Sequence, residues 1–157
     1  MLTGYDDAGA GMAEHGHGVG VHLILIADGA VLLGRRENTG FADGRWSVPG
    51  GRLEQGEPAK LGAIREAAEE LGITIAEHDL TFAHTCHHLD PDGRARIGMF
   101  FTTTKWTGEI VNAEPDKCSK LAWHLLDALP ADTVDYARSA ILLAHQGITY
   151  SQHGWPA

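Results

Sequence analysis

Three glutamates lie close together on one predicted helix of this sequence. Glu66, Glu69 and Glu70 stand three and four residues apart, so their side chains are neighbours on the helix surface. Like-charge pairs at this spacing each destabilise an isolated helix by about 0.2–0.5 kcal/mol. A solvated helix face tolerates that cost, whereas a hard cation such as Mg²⁺, which prefers oxygen ligands, would turn the repulsion into attraction. The helix alone leaves both interpretations open.

The segment before this helix favours the metal-binding interpretation. Gly50 and Gly51 allow the backbone to turn sharply and to approach a ligand closely. Glu57 stands near the helix start, where a carboxylate suits the helix dipole. If the loop folds back, Arg65 can hold an acid in place through a charge-assisted hydrogen bond.

These residues resemble the nudix box, the sequence motif of the nudix hydrolases. The box reads glycine, five residues, glutamate, seven residues, arginine and glutamate, an aliphatic residue, any residue, two glutamates, any residue, glycine and an aliphatic residue. Every fixed position is matched here, by Gly51, Glu57, Arg65, Glu66, Ala67, Glu69, Glu70, Gly72 and Ile73. The soft departure is Ala67, which is smaller than the usual aliphatic residue, and we expect it to affect packing rather than chemistry.

The resemblance implies an enzyme that uses Mg²⁺ or Mn²⁺ to cleave a nucleoside diphosphate linked to another group. It implies that Glu66, Glu69 and Glu70 ligate the metal, with a contribution from the backbone carbonyl of Gly51. Glu57 and Arg65 would form a supporting salt-bridge network, and either Glu66 or Glu69 is the candidate general base. The chemistry is consistent, because a metal neutralises phosphate oxygens and activates water while a nearby carboxylate accepts the proton.

The resemblance extends beyond the box, over roughly residues 19 to 130. The stretches VGVHLILIADGAVLLGRR, GRWSVPGGRLEQGE and NAEPDKCSKLAWHLLDALP are similar to the MutT-like nucleoside triphosphate diphosphatases, including vertebrate relatives that act on guanine and thiopurine nucleotides. In such enzymes the loop corresponding to EPDKC carries an additional acid near the metals. Glu114 is therefore a candidate fourth metal ligand, and an exposed loop acid is the equal alternative. Lys117 could pair with Glu114 or with a substrate phosphate.

The elements that must position these residues follow from hydrophobic patterning. We predict strands over 19–27, 30–36, 46–49, 80–88, 97–105 and 121–126, with a hairpin turn at Asp28 and Gly29. Helices are predicted from Pro58 to about Leu71, ending at Gly72, and over 134–145, followed by a terminal tail. This order predicts an α/β fold with a mixed sheet, and the resemblance implies the nudix-type α/β/α sandwich.

The first helix has an apparent core-facing stripe. Leu61, Ile64, Ala68 and Leu71 recur at helical spacing. At about 100° per residue, the three glutamates fall on the side away from this stripe. We therefore expect the core-facing residues to be separate from the carboxylates.

The composition narrows the class of protein and its partners. The chain has 157 residues and 43% hydrophobic residues, which suits one domain, and we assign 1–18 to a flexible tail and 19–157 to a nudix hydrolase domain. A net charge of −9 without a Lys/Arg run argues against broad nucleic-acid binding, although a metal can still bridge the protein to a phosphorylated substrate. Two cysteines favour a reduced, cytoplasmic protein, and no apolar run is long enough to span a membrane. A homodimer is possible, since related proteins are often dimers.

Other candidate residues are more simply explained as structural. His84, His87 and His88 lack clear ligand spacing and are expected to be ordinary strand residues, one of which could face the substrate pocket. Four aromatic residues could stack on a base, although each is more often a core residue: Phe41, Trp46, Phe100 and Phe101. Arg35 and Arg36 could contact phosphate or lie exposed at a strand end.

The sequence leads to one main hypothesis and two alternatives. The main hypothesis is Mg²⁺-dependent hydrolysis of a nucleoside triphosphate, or a related nucleotide, to the monophosphate and pyrophosphate. The first alternative is another substrate with the same linkage, such as dihydroneopterin triphosphate, a nucleotide sugar or a capped nucleotide. The second is a domain that senses a nucleotide without cleaving it, against which the three intact glutamates argue.

Overall fold

Strand β1 (Gly18–Ala27) lies at the centre of a mixed sheet in the computed structural model, which describes residues 16–157. The elements that follow it are β2 (Ala30–Arg36), β3 (Trp46–Ser47), β4 (Gly50–Arg52), α1 (Ala59–Leu71), β5 (Thr81–Leu89), β6 (Ala95–Thr103), β7 (Cys118–Leu125), α2 (Asp135–His145) and β8 (Tyr150–His153). Residues 1–15 of the predicted N-terminal tail lie outside the described part of the chain.

The strand order is β3-β2-β1-β6-β5-β8, with β4 also paired to β1 and β7 to β2. Strand β1 pairs in parallel with β6 along most of its length, while its other edge pairs first with β4 and then with β2. The turn between β1 and β2 has positive φ at both Asp28 and Gly29, as a two-residue hairpin requires. This confirms the predicted hairpin, and it leaves the start of β1 free to pair with the glycine-containing β4.

Alternating side chains of β1 divide the interior into two cores. Val21, Leu23 and Leu25 pack against α1 through Ala63, Ala67 and Leu71. On the opposite face, Ile24 belongs to the core that includes Ala137, Ala140 and Ile141 of α2. Because one helix covers each face of the sheet, the predicted α/β/α sandwich is confirmed. Among residues 16–157, no helix is long and apolar enough to cross a membrane.

The buried face of α1 differs from the predicted stripe. Leu61 is 44% exposed and Ala68 is also exposed, whereas Gly62, Ala63 and Ala67 are buried. Small residues face the sheet together with Leu71, and Ile64 packs against the same core, so the prediction is confirmed for these two residues and wrong for Leu61 and Ala68. The expected separation of core and carboxylates is therefore wrong, since Glu66 shares the face with these small residues and is only 8% exposed.

The predicted terminal tail contains a further strand. Residues 150–153 form β8, which pairs in parallel with β5. The buried ring of His84 holds this segment, with Nδ1 lying 2.7 Å from the carbonyl oxygen of Ile148 and Nε2 lying 2.8 Å from Oγ of Ser151. Hydropathy does not reveal this strand, because polar contacts rather than an apolar face fix its position.

Candidate active site

The glycine pair connects the sheet to the acidic helix. Gly51 pairs with Val21 of β1, and a Cβ atom at Gly51 would overlap the carboxylate of Glu66. At Gly50 the φ angle is 155°, and a Cβ there would lie 2.9 Å from the Cα of His22. Gly50 requires glycine because a side chain would collide with the backbone of β1, whereas a side chain at Gly51 would meet the carboxylate of Glu66. The sequence therefore brings backbone, rather than side chain, next to Glu66.

Arg65 joins the loop before α1 to the acids on α1. Its Nη2 and Nε atoms donate to the two carboxylate oxygens of Glu57, at 2.6 and 3.0 Å. Its Nη1 atom donates to Glu66 at 2.9 Å and to Glu69 at 3.2 Å. The Nη2 atom also donates to the carbonyl oxygen of Arg52, at 3.1 Å. The geometry contains the bidentate pair that charge-assisted recognition of a carboxylate favours.

Opposite pKa shifts separate Glu57 from two of the other acids. Hydrogen bonding from Arg65 lowers the pKa of Glu57, and the same contact raises the pKa of Arg65. Burial raises the pKa of Glu66, with further increases from the charges of Glu69 and Glu114. Burial, followed by the charge of Glu66, raises the pKa of Glu70 to about 8. The single charge of Arg65 therefore does not neutralise the negative charge of Glu57, Glu66, Glu69 and Glu70.

Glu114 faces the same region from the loop before β7. It lines a cavity of about 220 Å³ together with Glu70 and Gly50, and its charge is close enough to raise the pKa values of Glu66 and Glu70. Oε2 of Glu70 accepts a hydrogen bond of 2.9 Å from the backbone N–H of Gly50. Lys117 donates to the carbonyl oxygen of Asn38, at 2.9 Å, rather than to Glu114.

The donor set of this acid patch, which we define as Gly51, Glu66, Glu69, Glu70 and Glu114, suits a hard cation. Its members offer oxygen atoms only, and burial next to like charges raises the pKa values of two of them. In residues 16–157, no three acidic, histidine or cysteine side chains already converge as a metal site. Instead, Glu66 and Glu69 point to Arg65 and Glu70 points to Gly50.

A larger cleft begins at the glycine pair and crosses the sheet. It has a volume of about 1090 Å³. Its lining combines glycines of β1, β4 and β6 with aromatic and charged side chains, among which are His22, Arg36, His88, Asp90, Arg96 and Tyr136. The cleft thus reaches the acid patch at Gly51, which belongs to both. This arrangement could hold an elongated ligand with its anionic part at the patch.

The structure places the other candidate residues in different environments. His88 lines the cleft, while His84 is buried beside β8. Phe100, Phe101 and Trp46 are buried in the cores, as core aromatics should be. Phe41 is 39% exposed at the cleft, and the guanidinium of Arg36 lies 5.5 Å from the centre of its ring.

Sequence reasoning did not single out His22, Asp90, Arg96 or Tyr136, all of which line the cleft. Alternation along β1 could have placed His22 on the face opposite Val21 and Leu23. The other three come together only through the pairing of β5 with β6 and the packing of α2, which a local pattern does not reveal.

Comparison with known proteins identifies the family. The model of the NUDIX domain matches residues 15–145. The chain belongs to the NUDIX family. It is 30% identical, over 140 residues, to the uncharacterized Nudix hydrolase YvcI of Bacillus subtilis, and the match covers 83% of this chain and 85% of that relative. The expected nudix hydrolase, an enzyme acting on a phosphoric anhydride, is thereby confirmed.

Two further relatives connect this nudix domain to MutT proteins. An 8-oxo-dGTP diphosphatase of Proteus vulgaris is 32% identical over 80 residues, which cover 51% of this chain and 69% of that protein. The crystal structure of a MutT NUDIX hydrolase from Burkholderia pseudomallei superimposes with a TM-score of 0.75 at 29% identity, covering 85% of this chain and 99% of the other. These matches confirm the MutT-like assignment and the sandwich fold.

Proposed function

We propose that this nudix domain hydrolyses a nucleoside triphosphate, or a related nucleoside diphosphate derivative, to the monophosphate and pyrophosphate or another phosphorylated product, with Mg²⁺ or Mn²⁺. The observation that carries the proposal is the acid patch itself: the buried Glu66 and the half-buried Glu70, both with raised pKa values, stand against the glycine pair at the mouth of the cleft. A polyanionic substrate could approach such a surface only with bound cations between the two sets of negative charges.

The residues of the patch have separate roles in this proposal. Glu66, Glu69 and Glu70, with the carbonyl of Gly51 and the carboxylate of Glu114, would hold the metal, which when bound supplies charge neutralisation and an acidified water. Glu66 or Glu69 accepts the proton of the attacking water. Glu69, whose side chain is 49% exposed, has the easier access to solvent, whereas that of Glu66 is only 10% exposed.

Glu57 and Arg65 act as positioning residues. The bidentate contact of Arg65 with Glu57 fixes the guanidinium, and the remaining nitrogen of that guanidinium holds the carboxylates of Glu66 and Glu69. The same arginine bonds the backbone of Arg52, so the loop, strand β4 and helix α1 are fixed to each other. Carboxylates fixed in this way lose little freedom when a ligand binds.

The proposal is tested by incubating the purified chain with Mg²⁺, and separately with Mn²⁺, and a panel of nucleoside triphosphates. The panel includes 8-oxo-dGTP, since one relative carries that substrate in its name. It also includes dihydroneopterin triphosphate, a nucleotide sugar and a capped nucleotide. Products are identified by mass spectrometry. We expect a monophosphate and pyrophosphate from at least one triphosphate, and no turnover of any compound would refute the proposal.

Site variants then test the acid patch. Glu70→Gln and Glu69→Gln preserve size and remove a charge, and we expect each to lower kcat by at least about 100-fold, as loss of a positioned catalytic group does. Glu109→Gln removes the same charge from an exposed position in the same chain and should leave kcat unchanged. Full activity of both patch variants would place the active centre elsewhere.

A further inference from the structure

Arg96 lies in the cleft with its orientation fixed by a buried acid. The Nε atom of Arg96 donates to Oδ2 of Asp90 at 2.6 Å, and the other oxygen of Asp90 lies 3.2 Å from Nδ1 of His88. The side chains of Asp90 and His88 are 7% and 6% exposed, while that of Arg96 is 34% exposed and lines the cleft. All three side chains line the cleft, and that of Arg96 is the most exposed of them.

The surroundings hold this network rigid. The ring of His88 stacks on Tyr136 of α2 with centroids 4.4 Å apart and planes inclined by 7°. Burial lowers the pKa of His88, so at neutral pH the imidazole is uncharged and can donate from Nδ1 to Asp90. Arg96 therefore provides the positive charge of this network. The exposed Arg94 differs because it pairs with Asp92, which is itself exposed.

Glycines line the sheet between Arg96 and the glycine pair. Gly20 of β1 and Gly98 of β6 are register partners, and the ring of His22 lies beside both, 3.0 and 3.4 Å from where their Cβ atoms would stand. Strand β4 pairs with β1, and β1 pairs with β6. Two strand spacings of about 4.8 Å separate β4 from β6, and Arg96 lies three residues along β6 from Met99, which is level with Gly51. With a rise of about 3.3 Å per residue, Arg96 is therefore roughly 14 Å from Gly51. A flat group can enter the cleft along these glycines, next to the imidazole of His22.

We propose that Arg96, oriented by Asp90, is a specificity-determining residue that recognises the group on the far side of the phosphates. A guanidinium has donors only. With Nε committed to Asp90, it presents its Nη donors to the cleft, so the matching group carries carbonyl-type acceptors. An oxo-substituted base satisfies this requirement, and a base with an amino group at that position does not. The inference rests on the proposed function, because it takes the phosphates to lie at the acid patch.

The chemistry predicts which nucleotides are favoured. An arginine facing an oxo purine forms hydrogen bonds that typically change the affinity about tenfold or more relative to the wrong base. An amino group aimed at the same guanidinium leaves both donors unpaired, which is the stronger source of rejection. We therefore expect the protein to bind GMP at least about tenfold more tightly than AMP, independently of any metal.

The test is isothermal titration calorimetry with GMP and AMP, without metal, on the full chain and on Arg96→Gln. We expect the preference for GMP to fall to within about twofold in Arg96→Gln, mainly by weaker binding of GMP. Asp90→Asn, which frees Arg96 from its anchor, should narrow the preference in the same direction. Lys105→Gln removes one positive charge from an exposed position outside the cleft and should keep the wild-type preference.

The possible results separate this inference from the proposed function. A wild-type preference for AMP, equal binding of the two, or an unchanged preference in a folded Arg96→Gln variant would overturn the role of Arg96 while the hydrolase proposal stands. Folding is checked by thermal melting, and Arg96→Lys gives a second variant that keeps the charge but loses the Nε contact. If neither nucleotide binds and no triphosphate is cleaved with Mg²⁺ or Mn²⁺, both proposals fail.

Discussion

Replacing Gly51 by alanine tests whether the close approach of β4 to α1 matters for activity. The added Cβ would lie 2.6 Å from Cδ of Glu66. Ordinary carbon contacts are roughly 3.5–4.0 Å, so the carboxylate must move by about 1 Å. The backbone conformation of Gly51 is open to alanine, because its φ lies outside the left-handed region. The fold is therefore retained while one carboxylate is displaced.

The expected loss is in rate rather than in stability. A displacement of about 1 Å at a reacting centre typically costs about 100-fold, so kcat of Gly51→Ala should fall by about that factor. The free energy of unfolding should change by no more than about 1 kcal/mol, since alanine also restricts the unfolded chain. The assays are pyrophosphate release at saturating substrate and Mg²⁺, and denaturation in urea.

Repeating the Gly51→Ala substitution in a Glu66→Asp variant identifies the cause of the loss in kcat. In Glu66→Asp the carboxylate is withdrawn by one methylene, which relieves the overlap with a Cβ at Gly51. We expect Gly51→Ala to cost less than about tenfold in kcat in that background, which is the non-additivity of residues in contact. An equal loss in both backgrounds, or nearly full activity of Gly51→Ala alone, would show that contact with Glu66 does not control the rate.

Three further perturbations address the loop, the cleft and the C-terminal strand. Under the proposed function, Glu57 orients Arg65 and through it the carboxylates proposed to bind the metal, and contacts of that kind typically affect activity by about 10–100-fold. Glu57→Gln should therefore reduce kcat/KM by about that factor in the pyrophosphate assay. Glu54 is 66% exposed and lies 3.7 Å from the same arginine, so Glu54→Gln should have little effect. Burial, followed by the charges of His88 and Arg36, lowers the pKa of His22 to about 3, below its ordinary 6.5. As the pH falls from 6.5 towards 3, the unfolded chain binds a proton on His22 that the folded chain does not, so the free energy of unfolding should decline by up to about 1.4 kcal/mol per pH unit. Urea denaturation of His22→Gln should show a shallower decline with pH. A pH profile identical to that of the wild type would contradict the lowered pKa of His22. Trp155→Ala removes a hydrogen bond of 2.9 Å to the carbonyl oxygen of His87 and a ring contact of 4.6 Å, and should lower the free energy of unfolding by about 1–2 kcal/mol, whereas no change would mean that the end of the chain contributes little.

Local patterning was enough to predict most strands and both helices. Local conformational preferences fix the hairpin at Asp28 and Gly29. They also fix the end of α1 at Gly72, where φ is 68°. The strand β8 was missed because a distant partner defines it: His84 bonds the backbone of Ile148 and the hydroxyl of Ser151. Side-chain hydrogen bonds over such separations leave no periodic signal.

The candidate site shows the same difference between local signals and contacts made by distant residues. The motif spacing indicated the contact between Glu57 and Arg65, which are eight positions apart and joined by two hydrogen bonds. The network of His88, Asp90 and Arg96 could not be predicted in this way. It depends on the register between β5 and β6 and on the ring of Tyr136 in α2, which stacks on His88. A motif describes one loop and one helix, whereas the far end of the cleft is assembled from three elements.

The burial of Glu66 connects the packing of α1 to the proposed chemistry. Small side chains at Ala63 and Ala67 let the helix approach β1 closely, and this places Glu66 against the backbone of Gly51. A carboxylate there is desolvated, which raises its pKa, and Arg65 offers only one charge, shared among Glu57, Glu66 and Glu69. Enlarging Ala67 to leucine should therefore move the helix outward and lower the pKa of Glu66 towards its ordinary value. Carboxyl titration by NMR would show that change, and an unaltered pKa in a folded variant would mean that the packing of α1 does not control the charge at the site.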